Sequence, residues 1–112
     1  YGSDNVNCAG ELAINGNISP IRFNLSQNYP NPFNPITTIQ YSVSHYDYVT
    51  INIINIGGQI IKTIIQKSHQ PGNYEIIWDG TNHLGIPVPA GIYFYKMDTT
   101  DFIAVKKLVI LK

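Results

Sequence analysis

Two short runs of aromatic and β-branched residues, separated by a loop of turn-forming residues, constrain the fold most strongly. The runs are Tyr74–Trp78 and Ile92–Tyr95, and the segment between them contains three glycines and two prolines. Such runs favour a pleated, half-buried strand, whereas the residues between them favour turning backbone. Tyr74, Ile76 and Trp78 follow one another at a spacing of two, so we predict that all three face the core. The segment therefore predicts a strand, a structured loop and a second strand.

The loop after Trp78 begins with Asp79 and Gly80, a pair that turns the chain. The Asp79 carboxylate can accept backbone N–H bonds in an Asx-turn. The loop also offers oxygens that could bind calcium weakly, but the Asp-x-Asp-x-Asn-Gly spacing of a calcium loop is missing, so a hydrogen-bonded turn is the prediction. The predicted structural turn and core residues are Trp78, Asp79, Gly80, Gly91, Tyr93 and Tyr95.

Alternation of apolar and polar residues, with turn-forming residues between the runs, predicts six strands. They span Ile36–Val43, Tyr48–Ile56, Gln59–Gln66, Tyr74–Trp78, Ile92–Met97 and Phe102–Leu111. Gly57 and Gly58 are predicted to form a tight hairpin between the second and third strands. Strands at this spacing predict an all-β fold, an immunoglobulin-like or fibronectin-like two-sheet antiparallel sandwich of about seven strands. A further strand could come from the N-terminal arm.

This arm, residues 1–22, is polar, contains glycine and shows no apolar period, so we assign it as an arm or linker before an immunoglobulin-like domain at 23–112. Its apolar side chains could add a strand to a sheet edge of this molecule or of a neighbouring subunit. These predicted subunit contacts are Leu12, Ile14, Ile18 and Ile21. Cys8 is the single cysteine, which excludes an intramolecular disulfide. Because the chain starts at Tyr1, we expect a mature product or a fragment.

A proline-rich segment, Leu25–Pro35, follows the arm. Its three prolines exclude a helix and a central strand, and they favour extended or turning backbone. Its asparagines can bond the nearby main chain. Tyr29 and Phe33 are predicted to be aromatic plugs that close one end of the sandwich.

The composition and the polar residues argue against several kinds of chemistry. Seven basic and seven acidic residues balance, which predicts no nucleic-acid partner. No apolar run approaches the ~18–20 residues of a membrane span. The three histidines fall in different loops or strand ends and the aspartates are scattered, so no metal site and no cofactor are predicted. With no nucleophile motif and little room for a cleft, we predict that the chain is not an enzyme.

Eight tyrosines raise carbohydrate binding as a lesser alternative, because exposed aromatic side chains on a sandwich face can stack against sugar rings. Tyr41, Tyr74, Tyr93 and Tyr95, however, lie in strongly alternating strands, where a core or cross-strand role is the default.

Lysines give the last predicted strand a basic end that the rest of the chain lacks. Lys106, Lys107 and Lys112 could protect a sheet edge from unwanted pairing. Alternatively, a partner could recognise this strand through its backbone and its positive charges. The sequence leaves both interpretations open.

Four blocks, taken in their order and spacing, carry a family resemblance. They are Phe23–Pro35, Trp78–Gly80, Ala90–Tyr95 and Lys106–Lys112. Together they resemble the type IX secretion C-terminal sorting domain (type A), which is similar in turn to the immunoglobulin-like domain of the flagellar hook-capping protein. The resemblance implies a small sandwich at the C-terminus of a protein exported across the outer membrane of Bacteroidetes-like bacteria. In that family the translocon recognises the domain, and a surface sortase commonly removes it and attaches the cargo to lipopolysaccharide.

The resemblance thus implies a non-catalytic sorting or anchoring domain, secreted to the cell surface of a Gram-negative bacterium. Its expected partner is the secretion machinery or a cell-surface attachment apparatus, which would recognise the last strand. The predicted recognition residues are Lys106, Lys107, Leu108, Val109, Ile110, Leu111 and Lys112. Residues 1–22 have no counterpart in the family motif and no cargo domain is present. The alternative is therefore an extracellular structural subunit that self-assembles into a filament through strand exchange by the N-terminal arm.

Overall fold

Two antiparallel sheets are formed by residues 21–111, the part of the chain that the computed structural model describes. The strands are β1 (Asn24–Leu25), β2 (Thr37–Val43), β3 (Asp47–Asn55), β4 (Ile60–His69), β5 (Gly72–Trp78), β6 (Gly91–Asp98) and β7 (Ile103–Ile110). One sheet has the order β1-β2-β5 and the other β4-β3-β6-β7. This is the immunoglobulin-like sandwich that the sequence predicts, and its seventh strand, β1, lies inside the predicted 23–112 domain. Within the described range, no helix could cross a membrane.

The core lies between the two sheets and is formed by alternate side chains of the strands. Its buried apolar members are Leu25, Phe33, Ile39, Tyr41, Val43, Val49, Ile51, Ile53, Trp78, Val88, Tyr93, Tyr95, Met97, Leu108 and Ile110. Trp78 is fully buried, and Tyr74 and Ile76 pack half-buried against the core from the same face of β5, as predicted. Each fully buried aliphatic side chain contributes about 1.5–3 kcal/mol. A shift of the strand pairing by one residue would move all the buried apolar side chains of a strand to the solvent side, so burial fixes the register.

The buried aromatic side chains keep their polar atoms bonded. The Trp78 indole N–H donates to the Thr81 carbonyl oxygen at 2.9 Å. The Tyr93 hydroxyl donates to the Pro89 carbonyl oxygen at 2.8 Å, a bond back to the preceding loop like that of the tyrosine corner in immunoglobulin-like domains. A buried polar atom without a hydrogen-bond partner lowers the stability of the folded state. These hydrogen bonds therefore hold the loop before β6 against the core.

Strand β4 departs from a regular ladder. Its pairing with β3 shifts register twice, which leaves Ile61 and Ile64 without a partner in the ladder. Such bulges twist an edge strand and discourage its pairing with another chain. β4 also extends to His69 rather than to the predicted Gln66, because the polar residues after Gln66 still pair with the start of β3.

The proline-rich segment contributes one aromatic plug rather than two. Phe33 is buried, its ring centroid lies 5.6 Å from that of Trp78, and its backbone bridges to Ile110. Tyr29, in contrast, is 80% exposed, so its predicted plug role is wrong. The physical reason is register: Tyr29 and Thr38 exchange main-chain hydrogen bonds of 2.9 Å, and this pairing directs the Tyr29 side chain away from the core.

Candidate recognition surface

The turn between β2 and β3 and the turn between β6 and β7 meet at one end of the sandwich. Both contribute to a cluster of His45, Asp47 and Asp101, whose ligand atoms all lie within 4.8 Å of one another. These residues lie in separate loops or strand ends of the sequence, as predicted, and the fold brings three of them together at one end of the sandwich. The absence of a metal site stays a prediction. Sequence reasoning missed the cluster because the antiparallel pairing of β3 with β6 joins turns that are more than fifty residues apart. No local motif signals it.

The cluster is held by its own hydrogen bonds. Both the Thr100 hydroxyl, at 2.7 Å, and the Thr100 N–H, at 3.2 Å, donate to the Asp47 carboxylate, which also accepts the Tyr48 N–H. The donation by the Thr100 hydroxyl is the main cause that lowers the pKa of Asp47. His45 lies 3.7 Å from Asp101. These contacts connect the two turns and account for the cluster as a structural link.

The loop after β5 contains the predicted Asx-turn. The Asp79 carboxylate accepts from the Thr81 N–H at 3.2 Å and from the Thr81 hydroxyl at 2.6 Å, and the hydroxyl is the main cause that lowers the pKa of Asp79. Gly80 has a φ of +77°, and a Cβ there would lie 3.3 Å from the Pro35 carbonyl oxygen, so glycine is required. His83 donates from its backbone N–H to the Ile61 carbonyl oxygen at 3.2 Å, which covers part of the β4 edge.

A buried polar pair joins the two sheets. The Tyr41 hydroxyl and His69 Nε2 are 2.7 Å apart, and His69 Nδ1 lies 2.9 Å from the Lys67 carbonyl oxygen. Only a protonated nitrogen can donate to a carbonyl, so Nδ1 carries a proton, and in the neutral tautomer with that proton Nε2 accepts from the Tyr41 hydroxyl. Burial raises the pKa of Tyr41 to about 12, and the neighbouring Tyr74 adds to this effect. All polar atoms of the pair are engaged, which assigns it a structural role.

The free edge of β7 is closed at its C-terminal end by the proline-rich segment. The Val109 N–H donates to the Asn31 side-chain oxygen, and the Val109 carbonyl oxygen accepts the Phe33 N–H, both at 3.0 Å. The Leu111 N–H donates to the Phe33 carbonyl oxygen at 2.9 Å, and the Gln27 side chain donates to the Lys107 carbonyl oxygen at 2.7 Å. Lysines are thus not the only edge protection, because the polypeptide itself covers this end of the edge.

The outer surface of β6, β7 and the adjoining end of β3 mixes apolar and charged side chains. We call it the aliphatic face, defined by Ile54, Ile92, Phe94, Ile103, Val105 and Val109, with Lys96, Asp98 and Lys107 among them; Thr50 and Asn52 of β3 border it on the same side of the sheet. Ile103 is 63% exposed and Val105 is 52% exposed. Contiguous exposed apolar surface marks interaction sites more often than isolated exposed residues do. The aliphatic face is therefore a candidate partner surface.

Strand alternation divides the predicted recognition residues. Leu108 and Ile110 fill the core, so a partner cannot contact their side chains in the folded domain. Lys107 and Val109 point outward on the aliphatic face, and Lys106 is half-buried on the opposite side of the strand, where it pairs with Tyr95. The last strand thus exposes only every second predicted residue to a partner. The outward side chains of β6 lie beside these residues on the same face.

The other predicted contact residues lie at or beyond the ends of the described range. Leu111 is 51% exposed just after β7, and Ile21 is exposed before β1. The remaining residues, outside 21–111, are Leu12, Ile14, Ile18 and Lys112. The N-terminal arm, its strand exchange and the domain boundary at 22/23 stay predictions.

Sheet order, core and exposed outer faces together define a small immunoglobulin-like sandwich domain with surfaces suited to contact a partner. The family described as the FlgD Ig-like domain matches residues 36–101, and the chain belongs to this family. This match confirms the part of the resemblance that concerns the immunoglobulin-like domain of the hook-capping protein.

A solved structure shares the fold. The crystal structure of dimeric latent PorU from Porphyromonas gingivalis superposes with a TM-score of 0.66 at 19% sequence identity. The alignment covers 88% of this chain and 10% of that chain, so the present chain spans about a tenth of the length of PorU. Comparison with curated proteins finds no match.

Proposed function

We propose that this chain is a non-catalytic sorting domain that a type IX secretion machinery recognises, and that it directs its protein to the bacterial cell surface. The family membership, the fold shared with PorU and the four sequence blocks of the sorting-domain resemblance support this proposal. The single observation that carries it is the aliphatic face, a surface with exposed apolar side chains on β6 and β7, the last two strands of the domain.

The proposed partner contacts the outward side chains of β6 and β7 rather than every residue of the last strand. Val105 pairs with Lys96, and Lys107 pairs with Phe94, so lysines and apolar groups alternate across the two strands. Apolar contact supplies affinity, and the lysines select a partner surface that carries acidic groups. The main chain from Lys107 to Leu111 is already paired with the proline-rich segment, which favours contact through the face over addition of a strand there.

The test is export of a reporter protein fused ahead of the full chain, in a bacterium with type IX secretion. The variant Val105→Asn/Lys107→Asn removes one exposed aliphatic side chain and one charge from the outer surface of edge strand β7. The matched control Leu84→Asn/Lys67→Asn likewise removes one exposed aliphatic side chain and one lysine charge, at positions outside the aliphatic face. Thermal unfolding verifies that both variants fold.

We expect the β7 variant to reduce surface-exposed reporter at least about tenfold, since a contact worth 1.4 kcal/mol corresponds to a factor of ten in binding. The control should export like the wild type. Equal export by both folded variants would contradict recognition through the aliphatic face. Undiminished export of a reporter that lacks the whole domain would contradict the sorting function itself.

A further inference from the structure

The outer surface of the three-stranded sheet has a different chemistry from that of the aliphatic face. We call it the amide face, defined by nine outward residues in three rows across the strands: Asn24, Ser42 and Asn73; Ser26, Gln40 and Glu75; Tyr29, Thr38 and Ile77. Six of the nine carry a neutral amide or hydroxyl group of the Asn, Gln, Ser or Thr type. The face thus offers many hydrogen-bonding groups with almost no charge.

Two adjoining hollows, each of about 430 Å³, lie along this face. The first is lined by the residues of the first two rows together with Tyr41 and Tyr74, and the second reaches Tyr29, Thr38 and Gln27. Gln40 and Glu75 line both hollows and therefore stand at their junction. The volumes fall in the range of small-molecule sites, and their adjacency forms a shallow groove longer than one hollow.

The groups at the centre of the groove contact each other and still have hydrogen-bonding capacity. The Gln40 side-chain amide donates to one Glu75 oxygen at 3.3 Å, which leaves the amide oxygen of Gln40 and the second oxygen of Glu75 open within residues 21–111. The side chains of Thr38 and Asn73 make no hydrogen bond with the described part of the chain. Both donors and acceptors thus point into the groove.

Tyr29 lies at one end of the groove with 80% of its surface exposed. Its backbone is fixed to Thr38 by two hydrogen bonds of 2.9 Å, so the ring is carried by a sheet rather than by a free loop. The proline-rich segment therefore directs one aromatic side chain, Phe33, into the core and another, Tyr29, outward. An exposed ring beside hydroxyl and amide groups can stack against an apolar face of a polar ligand.

We propose that the amide face binds a neutral glycan. A sugar chain needs many donors and acceptors for its hydroxyl groups and an aromatic ring for its C–H faces, and the groove supplies both. The lining residues contain one carboxylate, Glu75, and no cationic side chain, which disfavours phosphate, sulfate and uronic acid groups.

The ligand lies across Gln40 and Glu75, with one sugar ring on Tyr29 and the chain continuing toward Asn24 and Asn73. The Glu75 carboxylate accepts from neighbouring sugar hydroxyls, and the Gln40 amide oxygen accepts from a further one. This site lies on the opposite sheet from the aliphatic face, so both surfaces can be occupied at the same time. The proposal does not depend on the sorting function.

The test uses the full chain in native gels that contain a neutral polysaccharide: β-glucan, xylan, mannan or galactomannan in turn. A polygalacturonate gel provides the anionic comparison. Amide NMR spectra recorded with neutral monosaccharides up to millimolar levels detect weak binding directly. The variants are Tyr29→Ala and Gln40→Ala, and the matched control is Tyr46→Ala, which removes a tyrosine that is 61% exposed in the β2–β3 turn.

We expect at least one neutral polysaccharide to retard the wild type and Tyr46→Ala equally, and each groove variant to bind about tenfold more weakly. The sugar-dependent NMR shifts should map to 24–29, 38–42 and 73–77. Retardation by polygalacturonate alone, shifts that map elsewhere, or no response to any neutral sugar would overturn the proposal. So would self-association that Tyr29→Ala abolishes without any sugar response, because the face would then bind a second copy of the chain.

Discussion

Asp47 shows how a single side chain joins distant parts of the chain. It begins β3, is buried, and accepts hydrogen bonds from Thr100, fifty-three residues later in the sequence. The bonds favour the ionised carboxylate, and they lower its pKa below the ordinary value. Since the same carboxylate titrates near its usual value in the unfolded chain, folding and protonation are linked.

This linkage predicts a pH-dependent effect of Thr100→Val, which removes the hydroxyl donor. A depressed pKa in the folded state stabilises the protein above the unfolded pKa of about 3.9 and loses its effect as the pH falls through the folded pKa. The variant should therefore be less stable than the wild type at neutral pH and should approach it at low pH. The measurement is the urea midpoint across that range.

A matched substitution separates the pH-dependent effect of losing the Thr100 hydroxyl from the general effect of losing a hydrogen-bonded threonine hydroxyl. Thr63→Val removes a hydroxyl that donates to the neutral Asn52 side chain at 2.7 Å. Its effect on the urea midpoint should not vary over the same pH range. If the effect of Thr100→Val is equally independent of pH, the Thr100 hydroxyl does not control the ionisation of Asp47.

At the scale of elements, the sequence predicts the strands that bury one face. It does not predict segments that become strand only because they pair with a neighbouring strand. β2, β3, β6 and β7 are predicted to within one or two residues at each end, because period-two alternation marks them directly. The extension of β4 carries no such signal, because it is polar and is held by its ladder with β3. Tyr29 and Phe33 are both aromatic residues beside a proline, and only their pairing partners distinguish the exposed ring from the buried one.

The candidate surfaces also depend on strand pairing that the sequence does not predict. The sequence predicts that the last strand is a recognition element, but the resemblance covers the whole block and does not separate Lys107, which faces outward, from Leu108, which fills the core. The amide face combines residues of β2 and β5 with the segment that begins at β1, and its rows exist only once the register is set. A linear pattern does not contain that register.

The covering of the β7 edge by the proline-rich segment leads to a prediction at this scale. Asn31→Ala removes the side-chain oxygen that accepts the Val109 N–H. Because a hydrogen bond of this kind contributes about 0.5–1.5 kcal/mol, the Val109 amide should exchange up to about tenfold faster in hydrogen–deuterium exchange. Asn34→Ala is the control, since the exposed Asn34 side chain makes no hydrogen bond within residues 21–111. Unchanged exchange at Val109 would show that the edge is closed by other means.

Residues 21–111 form a sandwich whose two outer surfaces differ in chemistry. Edge strand β4 is protected by bulges and by the loop that carries His83, and edge strand β7 by the segment that carries Phe33. These contacts cover part of both edges of the four-stranded sheet, which disfavours the addition of a strand there. The aliphatic face is suited to a protein with apolar and acidic groups, and the amide face to a neutral sugar, which would allow one small domain to combine transport with attachment at a cell surface.

The most direct measurement is site-specific photo-cross-linking during export of a fused reporter in a bacterium with type IX secretion. A photoreactive residue placed at Val105 reports contacts of the aliphatic face, and one placed at Gln40 reports contacts of the amide face. We predict that a component of the secretion machinery is captured from position 105 and not from position 40. Capture from position 40 alone, or no capture from 105 while the reporter is exported, would contradict the account.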